Sequence, residues 1–153
     1  MAIDVGDTVP DLTLSDHEGE TVSIGDLRGR PALLFFYPRA MTPGCTIEAC
    51  DFRDRHESLI AAGYQVLGVS PDPPQRNLRF REKEHLSFPL LSDEDHRLAS
   101  AMGAWGIKHQ YGKEYEGIIR STFLVGPDGR LERAWRNVQA KGHVRRVAED
   151  LGL

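Results

Sequence analysis

Apolar positions fall into three patterns along the chain, and each predicts a kind of element. Ala32-Leu33-Leu34-Phe35-Phe36-Tyr37 is apolar without a break, and Tyr64–Ser70 is nearly so. Runs of that length suit strands covered on both faces. Asp11–Leu14 and Thr21–Ile24 instead alternate around Asp16-His17-Glu18-Gly19, which predicts a surface hairpin near the N-terminus. Later, Phe88–Leu91 reads as a short strand. Ile118–Val125 reads as another, and Gly126-Pro127-Asp128-Gly129 turns it into a partner over Leu131–Val138.

Helical spacing fills the gaps. A helix is predicted from Pro43, with Thr42 as its N-cap and Pro43 in the first position, where a missing donor costs nothing. It runs through Leu59, Ile60 and Ala61 to a stop at Gly63. Pro73-Pro74 open a polar helix to about Leu86. Ser92, ahead of Asp93-Glu94-Asp95, is expected to cap a helix ending near Gly103, and Val144, Val147 and Leu151 mark a closing helix. Gly106–Gly117 shows no clear period and is expected to be a loop. This order predicts one α/β domain over residues 1–153, with a central mixed β-sheet flanked by helices and an N-terminal β-hairpin.

Charge narrows the possible functions. With 153 residues, 27% charged and a net charge of −4, the chain shows no bias toward nucleic acid or an acidic membrane. Its basic residues are interleaved with acidic ones, as in Arg53-Asp54-Arg55, which describes a solvated face. The N-terminus lacks a basic segment followed by an apolar one, and no stretch is long enough to span a bilayer, so a cytoplasmic protein is expected. In a reducing compartment a cysteine pair is more often chemical than structural.

Both cysteines lie in one segment, Pro38-Arg39-Ala40-Met41-Thr42-Pro43-Gly44-Cys45-Thr46-Ile47-Glu48-Ala49-Cys50. Cys45 stands where a buried strand hands over to a helix N-terminus, whose unpaired N–H groups favour an anion such as a thiolate. An ordinary thiol is only about 3% ionised at pH 7, and a helix N-terminus contributes at most ~2 kcal/mol. A second positive group should therefore approach Cys45, and Arg39 and Arg120 are the candidates. Residues five apart on an intact helix have Cα atoms roughly 8 to 9 Å apart, whereas a disulfide needs ~4.4 to 6.8 Å. A bridge between Cys45 and Cys50 therefore requires the helix to unwind locally.

Other readings of the cysteines are weaker. Two inert buried thiols would fit the composition. A zinc site lacks ligands at paired spacings, since Cys45, Cys50 and His56 do not supply four, and no metal or cofactor is expected. None of the six histidines lies in a recognisable acyl-transfer motif. A thioredoxin-type dithiol would need Cys-x-x-Cys, and Thr42-Pro43-Gly44-Cys45 has threonine in the first place.

The segment from Tyr37 to Cys50 resembles the peroxiredoxins, most closely the bacterioferritin comigratory protein or peroxiredoxin Q subgroup. The family pattern Pro-x-x-x-Thr-x-x-Cys falls on Pro38, Thr42 and Cys45, and a second cysteine five residues on marks the subgroup. Further matches run through Leu91–His96, Trp105-Gly106 and Gly117–Leu124. The resemblance implies a thioredoxin-like fold and a thiol-dependent peroxidase acting on hydrogen peroxide and organic hydroperoxides. It makes Cys45 the peroxidatic thiolate and Cys50 the thiol that resolves its sulfenic acid as an intramolecular disulfide. A thioredoxin- or glutaredoxin-type reductant would recycle the pair, and a monomer would suffice.

The resemblance also makes Thr42, Gly44 and Arg120 contacts of the peroxide and Pro38 a shield against water. Each has a plainer reading too: Pro38 as a strand end, Thr42 as an N-cap, Arg120 as a salt-bridge partner at a strand end. Glu48 is explained equally well by the site or by its place in the first helical turn. A peroxide-sensing switch that relays its disulfide to a partner protein is the alternative function.

Overall fold

The computed structural model describes residues 2–153. Seven strands form one mixed sheet in the order β2-β1-β5-β4-β3-β8-β9. In chain order these are β1 (Thr13–Ser15), β2 (Thr21–Ser23), β3 (Ala32–Phe36), β4 (Gln65–Ser70) and β5 (Leu90–Ser92). After β6 (Trp105–Gln110) and β7 (Lys113–Ile118) come β8 (Ser121–Val125) and β9 (Leu131–Trp135). Strands β3, β4 and β5 run parallel; β8 pairs antiparallel with β3, β9 antiparallel with β8, and β1 antiparallel with β5. The helices are α1 (Pro43–Ala61), α2 (Pro74–Lys83), α3 (Arg97–Met102) and α4 (His143–Asp150).

Strand β3 shows why a continuous apolar run was needed. Successive side chains point to opposite faces, so Leu33, Phe35 and Tyr37 join one core and Leu34 and Phe36 the other. The first core packs α1, α2 and α4 through Phe52, Phe80, Val144 and Val147; the second takes α3 through Leu98, Ala99 and Met102. Phe35 stacks on Phe52 with ring centroids 4.6 Å apart, which ties the middle of α1 to the centre of the sheet. The sheet, the flanking helices and the N-terminal hairpin are as expected. Among the described residues, no helix is long and apolar enough to cross a membrane.

Three local expectations are corrected. Gly106–Gly117 is not a loop: β6 and β7 form a separate two-stranded ribbon, joined by Tyr111 and Gly112, which both have positive φ (53° and 75°). Both faces of the ribbon are largely exposed, so no one-sided hydrophobic period marks it, but a two-residue turn ending in glycine is itself a hairpin signal. The run Ile118–Val125 is not one strand either. Ile118 ends β7 and β8 starts at Ser121, leaving Ile119 to bond Ala104 and Arg120 to accept from Val138. Finally, Ser92 belongs to β5 and does not cap α3. The Asp93 carboxylate accepts from the N–H groups of Leu98 and Ala99 at 3.1 and 2.8 Å across a left-handed turn at His96, supplying the orphan donors of the first turn.

Candidate active site

The loop between β3 and α1 is fastened before it reaches Cys45. Pro38 follows the strand end and cannot donate to a ladder. Ala40 donates its N–H to Asp72 Oδ2 at 2.7 Å, and Asp72 is held in turn by the Ser70 hydroxyl at 2.9 Å. The Arg76 guanidinium pairs with Asp72 (3.2 Å) and donates to the Ala40 carbonyl (2.8 Å). Tyr37 donates its hydroxyl to Asn77 Oδ1 at 2.6 Å. Asp72, Arg76 and Asn77 thus set the loop's path, although nothing in the pattern around Pro73-Pro74 singled them out. Met41, at φ 66°, completes the tight entry to the helix.

Thr42 is the N-cap residue through its backbone, with its carbonyl accepting from Thr46 N–H at 2.9 Å. Its hydroxyl makes no capping bond and instead donates to the Arg39 carbonyl at 2.7 Å. That leaves the hydroxyl oxygen free to accept. Gly44 and Cys45 lie in the first turn, where N–H groups have no intrahelical acceptor.

Cys45 is 1% exposed, and an Arg120 amine lies 3.4 Å from its sulfur. A Cβ on Gly44 would come within 3.2 Å of that same amine, so the glycine lets the guanidinium settle over the helix start. Arg120 reaches the site because the chain breaks between β7 and β8. Arg39, the other cation considered, is exposed at the surface and does not contact the sulfur.

Behind the sulfur, Arg120 makes a second bond, to Glu48 Oε1 at 2.7 Å. Glu48 is fully buried, and burial pushes its carboxyl up to about 7 even though Arg120 opposes the shift. Its other oxygen lies 3.9 Å from His143 Nε2, and His143 shares a 2.6 Å hydrogen bond with the Thr122 hydroxyl. Burial, with Arg120 adding, drives His143 down to about 4, so the ring is neutral at pH 7. Burial disfavours the Arg120 charge, but Glu48 and Cys45 outweigh it and hold the guanidinium above its ordinary value.

Glu48, which its place in the first helical turn alone would explain, lies at the site, paired with Arg120. His143 carries no signal in the sequence, because only the packing of α4 on α1 brings it here. Lys108 was missed with the ribbon that carries it. It lines two cavities, of about 450 and 670 Å³, that share Pro38 and open on either side of the site. Burial first, then Arg120, lowers the Lys108 amine, with Cys45 acting against them.

Cys50 is half-buried on the next turns of α1, with Sγ 3.9 Å from Glu84 Oε2. Burial pushes its thiol up; Arg53 works against that and Glu84 reinforces it. Both cysteines are free thiols on one unbroken helix, and at helical spacing they stand roughly 8 to 9 Å apart at Cα. They therefore cannot bond in this conformation.

The chain is similar to known proteins in sequence and in fold. Residues 5–134 match the AhpC/TSA family. The chain is 48% identical over 151 residues to peroxiredoxin Bcp of Bacillus subtilis, covering 99% of this chain and 96% of that one. It is 46% identical over 138 residues to peroxiredoxin Bcp of Escherichia coli, covering 90% and 88%. Among solved structures, the bacterioferritin comigratory protein of Xanthomonas campestris, studied for alkyl peroxide reduction, superposes with a TM-score of 0.89 at 37% identity over 97% and 98% of the two chains. A mutant of Xylella fastidiosa PrxQ does so with a TM-score of 0.92 at 32% identity over 99% and 97%.

Proposed function

The chain belongs to the AhpC/TSA family and is a peroxiredoxin, a thiol-dependent peroxidase of thioredoxin-like fold, and from that premise we propose that Cys45 is its peroxidatic thiolate and Cys50 its resolving thiol. The observation that carries the reading is the Arg120 guanidinium 3.4 Å from a buried sulfur at a helix N-terminus. The sulfur attacks the peroxide O–O bond, an S–O bond forms, and the leaving oxygen takes a proton to become water or an alcohol. Arg120, the Thr42 hydroxyl and the N–H groups of Gly44 and Cys45 surround the space where that charge develops. Pro38, at the edge of both cavities, limits water at the sulfur.

Resolution then requires movement. The Cys45 sulfenic acid condenses with Cys50 and releases water, giving a disulfide, once the first turns of α1 have unwound. Phe52, stacked on Phe35, anchors the helix just beyond Cys50 and marks where unwinding stops. A thioredoxin- or glutaredoxin-type dithiol restores the thiols, and no second copy of the chain is needed. Ile107, Ile119 and Val138 give the smaller cavity an apolar wall, which favours alkyl hydroperoxides as well as hydrogen peroxide.

The test is peroxide consumption coupled to thioredoxin, thioredoxin reductase and NADPH. Sustained turnover that disappears in Cys45→Ser is the expected result. A single oxidation without turnover would overturn the enzyme cycle in favour of a redox switch that passes its disulfide to a partner.

A further inference from the structure

Two groups able to carry negative charge, Cys45 and Glu48, share one cation in a dry pocket. Arg120 reaches both, at 3.4 Å to the sulfur and 2.7 Å to Glu48 Oε1, and both residues are almost wholly buried. Two anions beside one guanidinium, away from water, leave a net charge whose desolvation and self-repulsion are costly.

Glu48 Oε2 is buried and has no hydrogen-bond partner among the described residues. It faces His143 Nε2 at 3.9 Å. A bare carboxylate oxygen in that position forfeits its solvation, and the cost falls when Oε2 carries a proton and the carboxyl is neutral; His143 Nε2 is already engaged by the Thr122 hydroxyl at 2.6 Å.

We propose that Glu48 is the proton store of the reaction, holding on Oε2 the proton that Cys45 gives up and surrendering it when the sulfur loses its charge. This rests on Cys45 being the reacting thiolate. Before reaction the site holds a thiolate, a carboxylic acid and a guanidinium. The sulfur forms an S–O bond and loses two electrons as the O–O bond breaks. The leaving oxygen takes a proton from water and departs as water or alcohol, while Glu48 releases its own proton to solvent and becomes a carboxylate, so the proton count closes. The net charge of the pocket is zero before and after, and Arg120 gains a full anion at Oε1 as it loses one at the sulfur. Glu48 touches no peroxide atom; it is a positioning residue that acts through Arg120.

The groups around Glu48 fit this role. Arg120, from the link between β7 and β8, favours the carboxylate. Asp51, half-buried on α1 itself, opposes it. Tyr37, beyond the end of β3, has its phenol held neutral by burial, and His143 on α4 is neutral at pH 7, so neither supplies a compensating charge. Lys108, from the ribbon, is influenced by Arg120 and Cys45 and is not among the groups that act on Glu48. The carboxyl value of about 7 makes the proton exchangeable at neutral pH.

Difference infrared spectroscopy on the reduced Cys50→Ser protein tests the proposal, with Cys45 alkylated by iodoacetamide so that the sulfur anion is removed without any peroxide. The expected result is a buried carboxylic-acid C=O band at neutral pH that disappears on alkylation, with a carboxylate band rising in its place. Isotope-labelled glutamate should shift the band, and Glu48→Gln should lack it. No acid band in the reduced protein, or one unchanged by alkylation, would overturn the proposal. Peroxide consumption is read separately, so failure of the peroxidase reading and failure of the proton store are told apart.

Discussion

The two cysteines share one helix and lie in opposite electrostatic settings. Cys45 faces the Arg120 guanidinium at 3.4 Å, whereas Cys50 faces the Glu84 carboxylate at 3.9 Å. One setting favours a thiolate and the other a thiol. Neither partner is local: Arg120 comes from the break between β7 and β8, and Glu84 from the end of α2. In the proposed cycle, the order of events, oxidation at the first sulfur and attack by the second, follows from what the rest of the fold brings to each face of α1. In that cycle the second thiol reacts only after α1 has unwound and carried it away from Glu84.

Removing the first sulfur breaks the comparison most completely. Cys45→Ser is expected to reduce peroxide consumption in the NADPH-coupled assay to the background without protein. Next comes the cation: Arg120→Met should slow sulfenic acid formation by about 10²–10³-fold, the usual cost of losing one donor to developing charge. Stopped-flow measurement of the first oxidation checks this, and a rate within twofold of wild type would place the needed cation elsewhere.

Cys50→Ser should leave the first oxidation nearly unchanged but abolish recycling by thioredoxin, and mass spectrometry should then show sulfinic acid accumulating at Cys45. An undiminished steady-state rate would remove Cys50 from the cycle. Smaller still is the effect of Glu84. In a Cys45→Ser background, Glu84→Gln should speed alkylation of Cys50 a few-fold near pH 8, because it removes an anion that opposes the thiolate. An unchanged rate would show that burial alone holds that thiol up.

The buried pair behind Cys45 gives a stability test with a worked sign. Glu48 rises from 4.5 to about 7 on folding, so the native state binds more protons than the unfolded chain in that window, and stability falls as pH rises through it. His143 drops from 6.5 to about 4; there the unfolded chain binds more protons, and stability rises with pH. Each contribution is about 3 kcal/mol, and they oppose one another between pH 4.5 and 6.5. Wild-type melting temperature should be nearly flat there, whereas Glu48→Gln should become more stable as pH rises from 4 to 6.5. Parallel pH profiles for the two proteins would show that Glu48 is not the offsetting group.

How much of this could be read along the chain depended on how local each signal was. The β3 run, the Thr42-Pro43 helix start and the Cys45–Cys50 spacing are short-range patterns whose meaning survives in any fold. Arg120 is legible because a buried thiolate requires a cation beyond a helix N-terminus, and the family resemblance singles it out. The β6–β7 ribbon escaped because it is wet on both faces and so has no hydrophobic period, although its Tyr111-Gly112 turn was visible. Asp93 was passed over for Ser92 because a left-handed turn at His96 lets a residue well before α3 serve its first N–H groups.

By itself, the sequence determined the layered α/β architecture, the helix that bears both thiols, and the need to unwind it before they can bond. Those follow from periodicity and helix geometry, which act within a few residues. Only the tertiary structure decided which charge meets which sulfur, that Thr42 spends its hydrogen on Arg39, and that Glu48 is enclosed between Arg120 and His143. The physical reason is that a charge's effect depends on separation and burial, and for residues 72 or 75 positions apart only the packed fold sets either one.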